Sequence, residues 1–281
     1  MKPLFYTTLL LLALSGCSRE RTYGWMQKYL AQEKSRITTT QTSYEFAFDG
    51  YSLQYIDSSY ETFNEEGQKI GINNLHFFKY DASGKLMAEE YCLRTCENPG
   101  KKLYYYDNLN RLLKTTIVTS QEKERVTARY FYNNKNLLIK KTTGPDSLPT
   151  TETYAYDSLL RLTSLIKREY NFNVNQWLTH TDSLFYTSGN RPFLKKRRRL
   201  GEDLLTISKY RYHDTLLISQ TDTTITTLKG YLPTPQTVLH AYFFRTDYTY
   251  DLNNRLIEKM TTQPDYKTPS RKVTYKYRKT T

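Results

Sequence analysis

The feature that most limits how this chain can fold is a short phrase that recurs along it. The phrase is an aromatic residue, any residue, Tyr, then Asp or Asn, and three residues later usually Gly or Asn, followed by a return to Leu. Clear copies centre on Tyr80, Tyr106, Tyr132, Tyr156 and Tyr250. Weaker copies centre on Phe63, Tyr186 and Tyr212, with a half-copy at Tyr277. Most neighbouring copies lie about 26 residues apart, and such a period indicates a repeat architecture.

Each copy is interpreted as one β-hairpin. The Tyr-x-Tyr pair places two rings on the same face of a strand, and the Asp or Asn that follows accepts backbone hydrogen bonds in a tight turn. Gly84, Asn110, Asn136 and Asn254 stand where a type I turn is followed by a left-handed residue. We therefore expect positive φ at Asn110 and Asn254.

These residues resemble the YD repeat, also called the RHS repeat, whose pattern is Tyr-Asp-x-x-Gly-Arg-Leu. The resemblance covers roughly residues 55–278, and it is degraded where Leu160 replaces Gly or Asn and where Thr187 replaces Asp. In that family the hairpins join into one long, curling antiparallel sheet, which in large RHS toxins closes around a cargo. This chain is too short for such a shell and shows no evident toxin domain, so the cargo role is not expected.

The amino end is typical of an exported lipoprotein. Lys2 precedes an apolar stretch over residues 4–14, which is too short to span a bilayer as a helix. The sequence Leu14-Ser15-Gly16-Cys17 resembles a lipobox, and in that family the cysteine is lipidated and the chain is cut before it. We expect residues 1–16 to be a signal peptide and Cys17 to hold the protein to a membrane. Ser18 favours the outer membrane or cell surface, with the periplasmic face left open.

The expected fold is all-β: an antiparallel meander of repeated β-hairpins that forms one large curved sheet over residues 55–281. Residues 17–54 are expected to hold the lipid anchor, a tether with a short helix at 23–36, and the first irregular strands. An outer-membrane barrel needs an apolar lipid-facing row along every strand. Lys140-Lys141 and Lys195–Arg199 place charge on both faces of their strands, so such a barrel is disfavoured.

The chain is strongly basic, with a formal net charge of +13. A basic balance often indicates nucleic acid, but export argues against that partner. Outside the inner membrane the available polyanions are lipid phosphates and acidic glycans, including lipopolysaccharide. The densest basic run is Lys195, Lys196, Arg197, Arg198 and Arg199. It is interpreted either as an anion-binding patch or, preferably, as a solvated strand near a sheet edge, where lysine blocks edge pairing.

Two further sets of residues are candidates. Cys92 and Cys96 remain as a pair in an oxidising compartment, so we expect a disulfide, which requires the chain to double back between them. The same-face tyrosines are either sugar-stacking groups or a cross-strand ladder, and their recurrence at structural positions favours the ladder.

No motif for catalysis, metal binding or a cofactor is visible, and none of these is expected. The expected function is non-catalytic: a membrane-anchored envelope module for binding or scaffolding, with glycans or other anionic envelope ligands as candidate partners. One alternative is a glycan- or lipid-acting enzyme with its site in the variable loops, which join one hairpin to the next. Another is an accessory or immunity protein of an RHS-type toxin system. The sequence names neither the ligand nor a protein partner.

The anchor is tested by Cys17→Ala. We expect this change to abolish lipidation and membrane retention, because the thiol is the acceptor of the lipid. Partitioning between aqueous and detergent phases measures it, and a mutant that still enters the detergent phase would contradict the lipobox interpretation.

Overall fold

The computed structural model describes residues 36–48, 53–73, 75–92, 99–119, 123–200, 204–226, 240–263 and 269–279. Within them the chain forms eighteen β-strands and no α-helix. The strands are β1 Thr39–Phe48, β2 Leu53–Phe63, β3 Lys69–Ile72, β4 His76–Tyr80, β5 Leu86–Cys92, β6 Pro99–Tyr106, β7 Leu112–Val118, β8 Arg125–Tyr132, β9 Leu138–Thr143, β10 Thr150–Tyr156, β11 Leu162–Asn171, β12 Gln176–Tyr186, β13 Pro192–Leu200, β14 Leu204–His213, β15 Leu216–Thr226, β16 His240–Tyr250, β17 Leu256–Thr262 and β18 Pro269–Lys279.

The sheet closes on itself. Every strand pairs antiparallel with the next one in the chain, and β18 returns to pair with β1 from Thr39↔Lys279 to Ala47↔Arg271. The all-β meander of hairpins is confirmed, but the open curved sheet was wrong: the molecule is an up-and-down barrel of eighteen strands. The charged strands argued against an outer-membrane barrel, and they do not prevent closure of the sheet, because closure needs only a complete hydrogen-bond ladder.

The first strands also differ from expectation. Irregular strands were expected over residues 42–57, but residues 42–48 and 53–57 belong to two long strands of the barrel wall, β1 and β2, with one register shift between Glu45 and Phe46. The helix expected at 23–36 lies outside the described residues except for Arg36. No helix in the described ranges is long and apolar enough to cross a membrane.

The tight turns have the predicted chemistry. In the turn after β6, the backbone N–H of Asn110 donates to the carbonyl of Asp107 at 2.9 Å. The Asp107 carboxylate accepts from the N–H groups of Leu109 and Arg111, each at 2.9 Å. Asn110 has φ 62° and Asn254 has φ 60°, which confirms both expectations.

A side-chain relay links some hairpins to the next, through Lys85, Arg111 and Arg161. The Arg111 Nε donates to its own turn at Asp107 Oδ2, 2.7 Å away, while its Nη1 donates to Asn136 Oδ1 in the next turn at 2.8 Å. The same guanidinium lies 5.0 Å from the ring centroid of Tyr132, whose hydroxyl donates to the carbonyl of Leu112 at 3.0 Å. The hydroxyl contact recurs for Tyr80, Tyr106, Tyr156, Tyr186, Tyr250 and Tyr277, which donate to Lys69, Leu86, Leu138, Leu162, Leu217 and Leu256.

The two faces of the sheet differ in crowding. Burial is the leading cause of a raised tyrosine pKa at fifteen positions, all of them on the face that carries the Tyr-x-Tyr pairs: Tyr80, Tyr91, Tyr104, Tyr106, Tyr130, Tyr132, Tyr154, Tyr156, Tyr186, Tyr210, Tyr212, Tyr248, Tyr250, Tyr275 and Tyr277. On the other face large apolar side chains such as Phe131, Ile166, Phe185 and Phe243 are exposed. Side chains converge on the concave side of a closed sheet and diverge on the convex side. We therefore assign the tyrosine face to the inside of the barrel.

Leu160 tests the turn chemistry. It has φ 62°, a conformation that costs a residue with a Cβ about 1–2 kcal/mol. Residue 137 corresponds to Arg111 in the preceding hairpin, but it is Leu. Residue 160 therefore has no basic partner of the kind that Arg111 provides for Asn136. We expect Leu160→Asn to stabilise the protein by about 0.5–1 kcal/mol in chemical denaturation, because Asn tolerates this conformation.

The adjacent Leu159 is the matched control, since it is similarly exposed but does not have positive φ. Leu159→Asn should leave the free energy of unfolding nearly unchanged, and Asn110→Val should lower it by about 1 kcal/mol or more. An equal gain from the two leucine changes would contradict the conformational explanation.

Candidate outer-face anion site

The basic run is divided by strand alternation. Lys195 through Arg199 lie in β13, which is paired on both sides, with β12 and with β14, so the run is not at a sheet edge as expected. Cross-strand register places Lys195, Arg197 and Arg199 on the tyrosine face and Lys196 and Arg198 on the outer face. The five charges therefore do not form one patch.

Two of the inward cations pair with the carboxylate of Asp182 in β12. Arg197 donates from Nε and Nη2 to the two carboxylate oxygens at 2.7 and 2.9 Å, and Lys195 Nζ lies 2.9 Å from Oδ2. The Asp182 side chain is only 6% exposed. Burial opposes its ionisation, but the hydrogen bonds from Arg197 and Lys195 outweigh burial and hold its pKa below the usual value. This cluster is a structural ion pair and not a free anion site.

The other carboxylates of the neighbouring strands follow the same rule. From β9 to β15 the strands contain Glu152, Glu169, Asp182 and Asp222, and register places all four on the tyrosine face. Glu152 pairs with Lys141 at 3.3 Å, and Glu169 pairs with Lys167. Glu152, Glu169 and Asp182 therefore each have a basic partner on the inside of this part of the wall.

The outer face of the same strands is basic. Register places six exposed cations there and, within β9–β15, no carboxylate. We name this surface the basic outer face. It consists of Lys140, Arg168, Lys196, Arg198, Lys209 and Arg211.

Aromatic rings, rather than carboxylates, hold several of these cations in place. The Arg168 guanidinium lies 4.6 Å from the Trp177 ring centroid, and Lys196 Nζ lies 5.5 Å from that of Phe185. Lys140 Nζ stands 5.8 Å from the ring of Phe131. A cation–π contact orders a cation without cancelling its charge, and it contributes about 0.5–1 kcal/mol at an exposed site. The basic outer face therefore presents ordered positive charge to solvent.

The remaining sequence candidates have different outcomes. Cys17 and Cys96 lie outside the described residues, and Cys92 ends β5, so the disulfide stays a prediction. The tyrosine hydroxyls bond to neighbouring strands, as in Tyr132 of β8 to the carbonyl of Leu112 in β7 at 3.0 Å, which favours the ladder over sugar stacking. The described ranges contain no cluster of three or more His, Cys, Asp or Glu side chains able to hold a metal.

Sequence reasoning missed four members of the basic outer face as site residues: Lys140, Arg168, Lys209 and Arg211. A signal was available for Arg211, which stands between Tyr210 and Tyr212 and must point away from both rings. Arg168 and Lys209 required the registers of β11 with β12 and of β13 with β14.

Comparison with known proteins does not assign a family. No family model matches the chain, and no curated protein matches it. Among solved structures it is similar to TcdB2-TccC3-Cdc42, with 15% identity, a TM-score of 0.40, and coverage of 79% of this chain but 11% of that one. TcdB2-TccC3 without its hypervariable C-terminal region gives 15% identity, a TM-score of 0.40, and coverage of 84% and 12%. A porin-like protein from Bacteroides uniformis gives 8% identity, a TM-score of 0.43, and coverage of 87% and 98%. With TM-scores below 0.5, none of these similarities supports a conclusion about function.

The Asp182 cluster makes stability depend on pH. Because the folded pKa of Asp182 lies below its unfolded value, the cluster stabilises the protein above the unfolded pKa, and this contribution is lost as pH falls through the folded pKa. We expect Asp182→Asn to lower the free energy of unfolding by about 1–3 kcal/mol at pH 7. The deficit should shrink as pH falls below about 4.

Asp146→Asn is the control, since Asp146 also pairs with an arginine, Arg129, but is 80% exposed. It should change stability by no more than about 0.5 kcal/mol. Chemical denaturation at several pH values measures the free energy of unfolding of both variants. A loss of stability in Asp182→Asn that does not vary with pH would contradict the ionic explanation.

Proposed function

We propose that this protein is a lipid-anchored, non-catalytic binding module of the bacterial envelope, and that it binds an acidic polysaccharide through the basic outer face. The observation that carries the proposal is the absence of carboxylates on the outer face of β9–β15, where six cations are exposed. A merely solvated strand surface would be expected to mix both signs of charge.

The spacing of the charges supports a polymeric ligand. Lys196 and Arg198 are two residues apart on one strand, which separates their Cα atoms by about 6.6 Å. Lys209 lies on the adjacent strand opposite Leu194, so it is a diagonal neighbour of Lys196 at about 7–8 Å. Arg168 lies two strands away on the other side of β13. The hydrogen-bond ladder fixes this grid. A chain with a carboxylate on successive sugars can meet several of its points at once, and the separate contacts then reinforce one another.

The amino end supports the location. A lipidated Cys17 would place the barrel outside the inner membrane, where acidic glycans are abundant and nucleic acid is not. Anionic lipid headgroups share the same charge but form a flat surface, whereas the outer wall of a barrel is convex. A convex wall touches a plane along only a few strands, so a flexible polysaccharide fits the wider grid better.

The proposal is tested with residues 18–281, which contain all eighteen strands. Binding to polygalacturonate is measured at rising salt and compared with binding to lipopolysaccharide and to phosphatidylglycerol vesicles. We expect saturable binding to polygalacturonate that weakens with salt, because exposed charges are screened within about 10 Å at 0.1 M. The test variant, which should lose at least about tenfold in affinity, combines Lys196→Gln, Arg198→Gln, Lys209→Gln and Arg211→Gln.

A matched control removes the same number of outer-face charges, but from residues that already pair with carboxylates. It combines Lys79→Gln, Lys101→Gln, Arg129→Gln and Lys272→Gln. This control should keep most of the affinity if position matters, and it should lose as much as the test variant if only net charge matters. Equal loss in both variants, or binding to vesicles without binding to polygalacturonate, would reject the proposal.

A further inference from the structure

The seam where the barrel closes contains a cavity. It has a volume of about 250 Å³ and lies between β17, β18 and β1. Its polar lining comes from all three strands: Ser43, Glu45, Lys259, Thr261, Arg271 and Tyr275. Register places these side chains on the tyrosine face, since Lys259 pairs with Val273 and Val273 with Glu45. The cavity therefore opens to the inside of the barrel, on the side opposite to the basic outer face.

The charges that line the cavity do not cancel. Arg271 Nη2 lies 2.8 Å from Glu45 Oε1, which accounts for one cation and the one carboxylate. Lys259 forms no ion pair with any described carboxylate, and the contact recorded for its ammonium is with the Tyr248 ring, 5.9 Å from the centroid. Other lysines of the inner face do have carboxylate partners, as Lys141 does in Glu152. The cavity thus carries one positive charge that has no carboxylate partner among the described residues.

The hydroxyl groups are also unevenly used. The Ser43 hydroxyl bonds with that of Ser59 at 2.8 Å, and the Thr261 hydroxyl bonds with that of Thr246 at 3.1 Å. The Tyr275 hydroxyl has no hydrogen-bond partner among the described residues, whereas that of Tyr277, two residues on, donates to the carbonyl of Leu256 at 2.9 Å. A phenol hydroxyl and an ammonium group, both without a bonded partner, therefore meet at one cavity.

We propose that this seam cavity binds a small hydroxylated monocarboxylate of the size of one sugar acid. One carboxylate matches the single excess charge, with Lys259 donating to it and Arg271 contributing further N–H groups beside Glu45. The Tyr275 hydroxyl donates to a ligand hydroxyl, and the hydroxyl oxygens of Ser43 and Thr261 retain acceptor capacity. The volume is below the range of roughly 300–1,000 Å³ typical of drug-sized ligands, so a single ring is the fitting size. This site does not depend on the proposed function, because it uses none of the outer-face cations.

The test measures binding of glucuronate and of glucose to residues 18–281 by titration calorimetry or ligand-observed NMR. Glucose has the same ring but no carboxylate, and it should bind at least about tenfold more weakly than glucuronate if the charge of Lys259 decides affinity. Lys259→Gln should weaken glucuronate binding about tenfold or more, and Tyr275→Phe should weaken it several-fold. Far-UV circular dichroism and thermal melting check that each variant is folded. If Lys259→Gln does not fold, the affinity of the Tyr275→Phe variant decides the question.

Two controls separate this site from the rest of the molecule. Lys141→Gln removes an inner-face lysine that is engaged by Glu152, and it should leave glucuronate binding unchanged. The variant with four outer-face substitutions should also keep its affinity for glucuronate, even if it no longer binds polygalacturonate. The proposal is overturned by the absence of saturable glucuronate binding, by equal affinity for glucose, or by equal affinity of the Lys259→Gln and Lys141→Gln variants.

Discussion

The relay from one turn to the next is the interaction on which the rest of this structure depends. Among the described residues the fully buried apolar side chains are few: Ile70, Phe77, Ala88, Ala128 and Leu178. Such a core is too small to hold eighteen strands in order. Arg111 instead bonds to its own turn at Asp107 and to the following turn at Asn136, and it covers the ring of Tyr132. Where a basic residue holds this position, as at Lys85, Arg111 and Arg161, the hairpin thereby fixes the position of its successor, and the backbone ladder carries that order around the barrel.

Local chemistry made the hairpins predictable from sequence, whereas closure was not. The turn at Asn110 depends on residues within four positions of Asp107, so the motif contains all that is needed. Closure depends on β1 pairing with β18, at opposite ends of the chain, and β1 carries no copy of the motif. The repeat motif does not determine the number of hairpins at which the last strand pairs with the first. The sequence predicted only irregular strands where β1 and β2 lie, and their regularity was missed for the same reason, since only their neighbours explain it.

The candidate site shows the same division between local and distant information. In the sequence Lys195 to Arg199 form one continuous basic run. Successive side chains of a strand point to opposite faces, so the run is divided between the two faces of the sheet. Alternation alone separates Lys196 and Arg198 from their neighbours. It does not reveal that Asp182 pairs with Lys195 and Arg197, because Asp182 comes from the preceding strand through a register that no motif specifies. The same holds for Lys209, which joins Lys196 and Arg198 only once β14 lies beside β13.

Closure also explains why the two faces can differ so sharply in charge. Inside the barrel the side chains converge, and an unpaired charge in a crowded layer loses hydration without gaining a partner. Carboxylates such as Asp182 therefore pair with cations there, and Lys259 at the seam is an exception that calls for a ligand. On the diverging outer wall each cation keeps its water, so Arg198 and Arg211 need no carboxylate. An open sheet would impose no such difference. Within β9–β15 the inner face holds all four carboxylates of the strands, and the basic outer face keeps its positive charge.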